Sequence, residues 1–519
     1  MKKYIITGLA LAFSLTSCLK DLDQDPSIDP DSINESSVQN NLDYAKQTLA
    51  KVYASLALTG QKGPSNSPDI QGLDEGTTQF SRLLFYHQEL PTDEAVVAWS
   101  DPGVPDFHNM NWTSSNGITE AMYYRLAQTV SFANAFITNN QNSSFEEMKK
   151  YGVAEARFVR AYAYYYLMDL FGDTAITTDV KEKLTEKEKA TRKQVFEFIE
   201  KELKEIEADL KEPRTNEYGR VDKAAAWALL SRLYLNAKVY TGTERYADCL
   251  TYAEKAINSG YSLAPKYSQL FLADNDTNGA EKENIFTINF DGLRSQTWAG
   301  TTFLIHAAIG GSMKKEDFGV NGGWAGIRAT AGLVDKFAGS GTPPTSWTDK
   351  RAMFYTDGQE YEINDITKFV QGYAITKFKN VTSAGKAGKD PSGNYADTDL
   401  ALIRLAEVYL NAAEAAVATG NSAKALQYVN LLRTRAGAPT LSSITMDNIL
   451  DERARELYWE GFRRTDLIRH GKFTTASYLW PFKGGVKDGK AVEDFRNLYP
   501  IPQNIVLNSE GVIKQNKGY

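Results

Sequence analysis

Apolar residues recur every three or four positions through most of this chain, which is the spacing of one helix face. The clearest case is the segment 401–435, where Leu405, Tyr409 and Ala413 share a face before Gly420-Asn421 interrupts the pattern. The period then resumes and stops at Gly437. Two helices joined by a short turn, with alanines where the backbones approach, predict a tetratricopeptide-like hairpin.

The same periodicity predicts four helical hairpins and therefore a mainly α fold. The paired ranges are 38–57 with 119–137, 145–171 with 192–210, 222–236 with 245–258, and 401–418 with 422–435. Three or more stacked units of this kind can bury a continuous core. The aromatic stripe of the second hairpin, Tyr162, Tyr165 and Tyr166, is predicted to pack between repeats.

Two long stretches lack helical periodicity. Residues 60–115 and 274–397 are rich in Gly, Asn, Asp, Thr and Trp, with short β-like runs at 285–289 and 373–379. Long loops on a regular scaffold are typical of functional surfaces. We therefore expect these insertions to carry the ligand site.

The amino-terminal residues predict export and lipidation. Residues 1–17 have a basic start and a short apolar core, and small residues precede Cys18, as in a bacterial lipobox. Cys18 is expected to become the acylated amino terminus, followed by a flexible tether to residue 37 and a single body over 38–519. The other cysteine, Cys249, lies on a helical face and is predicted to be a core residue.

Charge and motifs exclude several classes of function. The formal net charge is −7 and no basic cluster appears, which argues against nucleic-acid binding. None of the four histidines, His87, His108, His306 and His470, has metal-ligand spacing, and the chain has no HExxH, GxSxG or Walker loop. A glycoside hydrolase needs only two carboxylates at a set separation, so that alternative stays open among 65 acidic residues.

Tryptophans in the irregular stretches are candidates for sugar binding. Sugar rings present apolar faces that stack on exposed aromatic rings, and hydroxyl groups that pair with carboxylate, amide and guanidinium groups. The loop tryptophans are Trp99, Trp112, Trp298, Trp324 and Trp347, whereas Trp227 and Trp459 lie in helical segments and are predicted to be core. A loop tryptophan can equally be a structural anchor.

The segment 452–473, ERARELYWEGFRRTDLIRHGKF, is called here the signature segment. Its charges predict a salt-bridged helix face, which is usually solvated. The segment closely resembles the carboxy-terminal signature of the SusD/RagB family, and LTGQKGPSNSPDIQGLDEG, ELPTDE, YTGTERYA, LADNDTN and YLWPFKGG extend the resemblance along nearly the whole chain.

The resemblance implies a SusD-like scaffold and a non-catalytic surface lipoprotein of a Bacteroidetes-type outer membrane. Such proteins capture glycans for a SusC-like TonB-dependent transporter. It also implies three parts of the body: residues 38–270, a loop-rich glycan-binding part at 271–397, and a signature part at 398–519. The rival interpretations are a surface glycoside hydrolase and an adhesin that uses its repeats for protein contacts.

The resemblance also implies site residues and a ligand class. The family's starch-binding member cradles a curved α-glucan on three aromatic rings, which correspond here to Trp99, Trp298 and Trp324, called the tryptophan arc. Asp74 and Arg82 correspond to its polar contacts. Its asparagine contact corresponds to Pro102, which has no amide, so Asp101 is the candidate acceptor beside it. This departure weakens the assignment to starch more than the assignment to glycans.

A calcium-like spacing occurs at Asp274, Asp276 and Asn278, followed by Gly279. Ile285 stands at the twelfth position, so a full EF-hand is excluded. The resemblance implies a structural calcium ion at this loop, and the alternative is a turn rich in Asp and Asn.

Overall fold

The computed structural model describes residues 41–60, 63–180 and 184–519. The predicted signal peptide, the predicted lipidation site Cys18 and the whole of the predicted tether lie outside these residues. The described part contains sixteen α-helices: α1 Leu42–Ala57, α2 Phe80–Gln88, α3 Pro105–Asn109, α4 Gly117–Asn140, α5 Val153–Phe171, α6 Arg192–Ile206, α7 Lys223–Leu235, α8 Ala237–Thr241, α9 Tyr246–Ile257, α10 Gly300–His306, α11 Ala331–Val334, α12 Leu405–Ala418, α13 Ser422–Ala436, α14 Met446–Leu457, α15 Arg463–Arg469 and α16 Gln503–Asn508.

Ten short strands in the described part form five two-stranded antiparallel sheets. They are β1 Ala95–Val97, β2 Thr174–Ala175, β3 Lys189–Ala190, β4 Asn284–Ile288, β5 Ile327–Ala329, β6 Gly339–Ser340, β7 Ser346–Trp347, β8 Phe354–Tyr355, β9 Ala374–Ile375 and β10 Leu400–Arg404. The pairs are β1 with β5, β10 with β4, β2 with β3, β6 with β7, and β8 with β9.

The four predicted helical hairpins are confirmed. Helix α1 packs on α4, α5 on α6, α7 on α9, and α12 on α13, and α4 also packs on α5 to join neighbouring pairs. Polar residues begin several of these helices: Asn41 and Asp222 accept main-chain N–H groups of the first turn, and Thr191 forms a capping box with Gln194. The stripe Tyr162, Tyr165 and Tyr166 is buried, as is Cys249.

The fourth hairpin begins later than predicted. Residues 401–404 were expected to be helical, but they belong to β10 and pair with β4. Both faces of this strand pack against other parts of the protein, so its sequence is a nearly continuous apolar run. Periodicity cannot distinguish such a run from a segment of buried helix. The β-like run predicted at 285–289 is confirmed as β4, one residue earlier.

The stretch 60–115 is more regular than its composition suggests. It contains α2, which is buried on almost every face, as well as α3 and β1. Helix α2 has only nine residues, fewer than the window over which a helical period is detected reliably. The interpretation of this whole stretch as loop was wrong.

The signature segment is buried instead of lying on a solvated helix face. It comprises the end of α14, a turn at Tyr458–Phe462 and α15. Arg404 of β10 donates to Glu283, Glu456 and Glu460, at 3.0, 2.7 and 2.6 Å for the shortest contact of each pair. Arg351 adds contacts to Glu452 and Glu456 at 2.7 and 3.1 Å. This network joins β10 and α14 to each other and to Glu283 and Arg351 of the stretch 274–397.

These buried ion pairs predict loss of stability in acid. Burial by itself would raise the pKa of Glu452, but the guanidinium groups of Arg351, Arg455 and Arg433 outweigh it and lower the pKa from 4.5 to about 2. The carboxylate therefore stabilises the folded state above pH 4.5, and this contribution is lost as the pH falls toward 2. Urea midpoints measured at decreasing pH should fall through this window, and a flat profile would contradict the prediction.

A buried carboxyl pair acts in the opposite direction. Burial raises the pKa values of both Glu89 and Glu94, and Glu89 adds its charge to the effect on Glu94. Their stabilising contribution is complete below pH 4.5 and declines at higher pH. Glu89 nevertheless has a structural role, because its Oε1 accepts the N–H groups of Gly461 and Phe462 at 2.6 and 3.1 Å.

No helix in the described ranges has the length and apolar character needed to cross a bilayer. The subdivision of the body at residues 270 and 397 remains a prediction.

Candidate functional site

The pairing of β1 with β5 brings two predicted site residues together. Trp99 follows β1, Trp324 precedes β5, and the strands are antiparallel, so both indoles leave the same end of the pair. The pairing continues one step further, because Ala98 N–H donates to Gly326 O at 2.9 Å. Trp99 Nε1–H donates to Trp324 O at 3.1 Å. Two tryptophans that are 225 positions apart in sequence therefore become neighbours.

Trp298 completes the tryptophan arc. It stands just before α10, and its ring centroid lies 6.2 Å from that of Trp324 at an interplanar angle of 55°. The ring centroids of Trp324 and Trp99 are 6.4 Å apart, and the planes of these two rings are inclined by 46°. All three side chains are partly exposed. The arc is a surface of inclined aromatic faces with Trp324 in the middle.

Arg82 forms the polar side of the arc. Its guanidinium lies over the ring of Trp99 at 5.6 Å, donates from Nε to the Tyr86 hydroxyl at 3.0 Å, and reaches Trp298 O at 3.4 Å. Its Nη1 lies 3.9 Å from the Asp74 carboxylate. The Arg82 side chain is 12% exposed and that of Asp74 is 65% exposed. A guanidinium group beside an exposed carboxylate can form hydrogen bonds with two neighbouring hydroxyl groups of a sugar.

Asp101 lies on the same side. Burial raises the pKa of Tyr86, and the carboxylates of Asp74 and Asp101 both add to this rise, so both charges lie near the Tyr86 hydroxyl. Asp101 is exposed, and within the described residues its carboxylate makes no hydrogen bond. Its oxygens are therefore open to a ligand. Pro102 is exposed and supplies no side-chain hydrogen bond.

Glu75 is a supporting residue that the sequence did not reveal. Its carboxylate accepts the hydroxyl groups of Thr59 and Thr297 at 2.6 and 2.7 Å and the N–H of Trp298 at 2.8 Å. This buried carboxylate fixes the loop that carries Trp298. It stands directly beside Asp74 in the sequence, but its three partners come from distant segments, which no local pattern indicates.

Two glycines allow the close approach of the arc to its backbone. A Cβ atom at Gly76 would lie 2.6 Å from both Arg82 Nη1 and Trp298 O, and one at Gly326 would collide with the Trp99 ring. Larger residues at these positions would displace the arc. Tyr395, whose ring centroid lies 4.8 Å from that of Trp298, supports the outer ring and was also missed.

The remaining loop tryptophans lie outside the arc. Trp112 is fully buried and packs against Phe107 and Tyr499, so it is a core residue and its inclusion among the exposed candidates was wrong. Trp347 is partly exposed and packs on Phe354. Trp459 is buried as predicted, but in the turn after α14 with a φ of 64°.

The residues with calcium-like spacing do not converge in this structure. Both Asp274 oxygens accept hydrogen bonds from Ser383, and Asn278 Nδ2 donates to Asp274 at 3.0 Å. The Asn278 oxygen accepts the N–H of Ala280, and Asp276 lines a separate polar cleft with Asp399. Across the described ranges, no group of three or more His, Cys, Asp or Glu could hold a metal ion. The oxygens of Asp274 and Asn278 thus accept hydrogen bonds from protein donors, as in a turn rich in Asp and Asn.

Metal removal provides a direct check on this loop. We expect the melting temperature of the purified protein to be the same in excess EDTA and in excess CaCl2, because the Asp274 oxygens already have protein donors. A calcium ion that bound only the folded state would raise the melting temperature. A rise of several degrees with calcium that disappears in Asp276→Ala would overturn this expectation.

An enclosed groove elsewhere differs from the arc in character. It has a volume of about 410 Å³ and lies between α1 and β4, with Tyr53 and Phe286 in its lining. None of the three arc tryptophans lines this groove. The inclined and partly exposed rings of the arc suit a long chain that passes across a surface better than a small molecule held in a cavity.

Comparison with protein families places both ends of the body in one group. Residues 348–519 match the family described as the SusD family, and residues 84–235 match the family described as starch-binding and associating with the outer membrane. The chain is 37% identical to the starch-binding protein SusD of Bacteroides thetaiotaomicron, over 98% of this chain and 97% of that protein. A SusD-like protein of Bacteroides ovatus is 27% identical over 68% of this chain and 65% of that protein.

Solved structures share the fold. Surface glycan-binding protein A from Bacteroides thetaiotaomicron, in complex with laminarihexaose, superposes with a TM-score of 0.69 at 23% identity, over 92% of this chain and 99% of that chain. A SusD-like carbohydrate-binding protein from Bacteroides fragilis superposes with a TM-score of 0.70 at 21% identity, over 92% of this chain and 100% of that chain. At these identities the comparison concerns the architecture alone.

Proposed function

Because this chain belongs to the SusD family, we propose that it is a non-catalytic protein that captures an oligosaccharide or polysaccharide on the tryptophan arc. One observation carries the proposal: three tryptophan rings from separate segments meet, partly exposed, with neighbouring centroids 6.4 and 6.2 Å apart. Such rings offer apolar faces to sugar C–H groups, and Arg82, Asp74 and Asp101 stand beside them for the hydroxyl groups.

A starch-like α-glucan is the favoured ligand. Neighbouring rings of the arc are inclined by 46° and 55°, so no flat ribbon can stack on all three at once. An α-glucan chain curves, and successive glucose units change direction in a way that inclined rings can follow. The 37% identity with a protein named as starch-binding supports the same choice.

A panel of polysaccharides tests which class of glycan the protein binds and whether the protein is instead a glycoside hydrolase. We expect native gels containing amylopectin or glycogen to retard the protein, and gels containing a flat β-1,4-glucan such as hydroxyethyl cellulose to leave its mobility unchanged. Incubation with the same polysaccharides should release no reducing ends. Release of reducing ends would favour the glycoside hydrolase, and absence of retardation by every polysaccharide would favour the adhesin.

The proposal extends to location and partner. Acylation at Cys18 would anchor the protein to the outer membrane, and the captured glycan would pass to a SusC-like TonB-dependent transporter docked on the helical scaffold. Support comes from the lipobox ahead of Cys18 and from the match of residues 84–235 to a family that associates with the outer membrane. Replacement of Cys18 by alanine should release the protein from membranes, and purification of the acylated protein in detergent should recover the transporter.

A further inference from the structure

We propose that His306 is a positioning residue that sets the geometry of the tryptophan arc and thereby its preference for curved glycans. The inference rests on the proposed glycan binding and deepens it. The imidazole is 1% exposed and stacks under Trp324, with ring centroids 4.9 Å apart and planes inclined by 17°. It therefore supports the middle ring from below, opposite the face that a sugar would cover.

The imidazole joins two loops that carry different parts of the site. Its Nδ1 lies 2.7 Å from Gly322 O, two residues before Trp324. Its Nε2 lies 3.0 Å from Asn394 O, next to Tyr395, whose ring packs on Trp298. The ring therefore links the Trp324 side of the arc with the Trp298 side. The ring centroids of Trp324 and Trp298 themselves lie 6.2 Å apart.

Main-chain contacts at the end of α10 add to this arrangement. Trp324 N–H donates to His306 O at 2.7 Å, and Gly326 N–H donates to Ala307 O at 2.8 Å. Between them, Ala325 takes a φ of 48°, in the left-handed region that favours glycine. An alanine keeps this conformation where surrounding contacts hold the loop. The loop is thus fixed by main-chain contacts to His306, Ala307 and Ile309 as well as by the imidazole.

The chemistry of the imidazole explains why another residue would not serve. Phenylalanine can stack on Trp324 but has no N–H, and glutamine has N–H donors but offers no ring to stack on Trp324. Burial lowers the pKa of His306 from 6.5, while the carbonyls of Gly322 and Asn394 act to raise it. A neutral imidazole carries one N–H and therefore donates to one of these two carbonyls, whereas the protonated ring donates to both.

Selectivity between a rigid and a flexible ligand tests the role. A closed ring such as β-cyclodextrin cannot adapt to a displaced ring of the arc, whereas linear maltoheptaose can. In His306→Phe and His306→Gln we expect the Kd for β-cyclodextrin to rise about tenfold and that for maltoheptaose to rise far less, because preorganisation matters most for a rigid ligand. Circular dichroism of the coupled tryptophans should change without any ligand present.

The control is His87→Phe. His87 is also buried, packs edge-on against the rings of Phe107 and Tyr499 and contacts a main-chain carbonyl, but none of its ring contacts is to an arc tryptophan. It should keep the selectivity ratio of the unaltered protein even where its melting temperature falls. Equal losses for both ligands in the His306 variants, or an unchanged ratio and spectrum, would overturn the inference. Failure of the unaltered protein to bind either sugar would instead overturn the proposed function.

Discussion

Replacement of Trp324 by alanine is expected to abolish retardation of the protein in gels that contain its glycan. Trp324 is the middle ring, the only one of the three within 6.5 Å of both others. Its removal leaves Trp99 and Trp298 without a surface between them. Central aromatic residues of this kind contribute about 2 kcal/mol or more to binding, which corresponds to a loss of at least about 30-fold in affinity.

Trp347→Ala is the matched control for this prediction. Trp347 also lies in an irregular segment and is also partly exposed, but it packs on Phe354 and contacts no ring of the arc. Isothermal titration with a maltooligosaccharide should show unchanged affinity for this variant. If Trp324→Ala keeps its affinity, or if both variants lose it equally, the arc is not the binding surface.

Replacement of Arg404 by alanine is expected to produce the largest loss of stability. Arg404 is 1% exposed and lies among the carboxylates of Glu283, Glu456 and Glu460. Without it each of these buried carboxylates loses one of its cationic partners, and removal of one member of a buried ion network costs about 3–5 kcal/mol. The free energy of unfolding in urea should fall by that amount. Arg404→Lys should lose less, because it keeps the charge but not the planar fork.

A variant of an exposed ion pair is the control for this measurement. Lys204 contacts Glu200 at 2.6 Å on the surface of α6, and its side chain is 43% exposed. Lys204→Ala should change the free energy of unfolding by less than about 1 kcal/mol, because water screens such pairs. Comparable losses in Lys204→Ala and Arg404→Ala would show that burial of the network is not the cause.

The helical scaffold could be predicted because its signal is local. The pairs α7 with α9 and α12 with α13 follow from the apolar period and from turn residues such as Gly420. The exceptions are equally instructive. Helix α2 and strand β10 have only nine and five residues and are almost entirely buried, so neither shows a period over the window from which one is detected.

The site was predicted in part, and through resemblance more than through pattern. Trp99, Trp298 and Trp324 were identified together with Arg82, but composition alone grouped them with Trp112, which is core. Glu75, Tyr395 and His306 act through partners from other segments, and nothing in their own neighbourhood marks them.

The sequence by itself determined the helical architecture, the family and the residue types available for sugar binding, because periodicity, turn residues and the signature segment are read over short windows. Only the tertiary structure decided which tryptophans meet, that the signature charges are buried, and that the Asp274 carboxylate pairs with Ser383. The physical reason is the same in each case. Stacking, ion pairing and coordination depend on distances of a few ångströms between segments, such as the 225 positions that separate Trp99 from Trp324, and those distances exist only after the chain has packed.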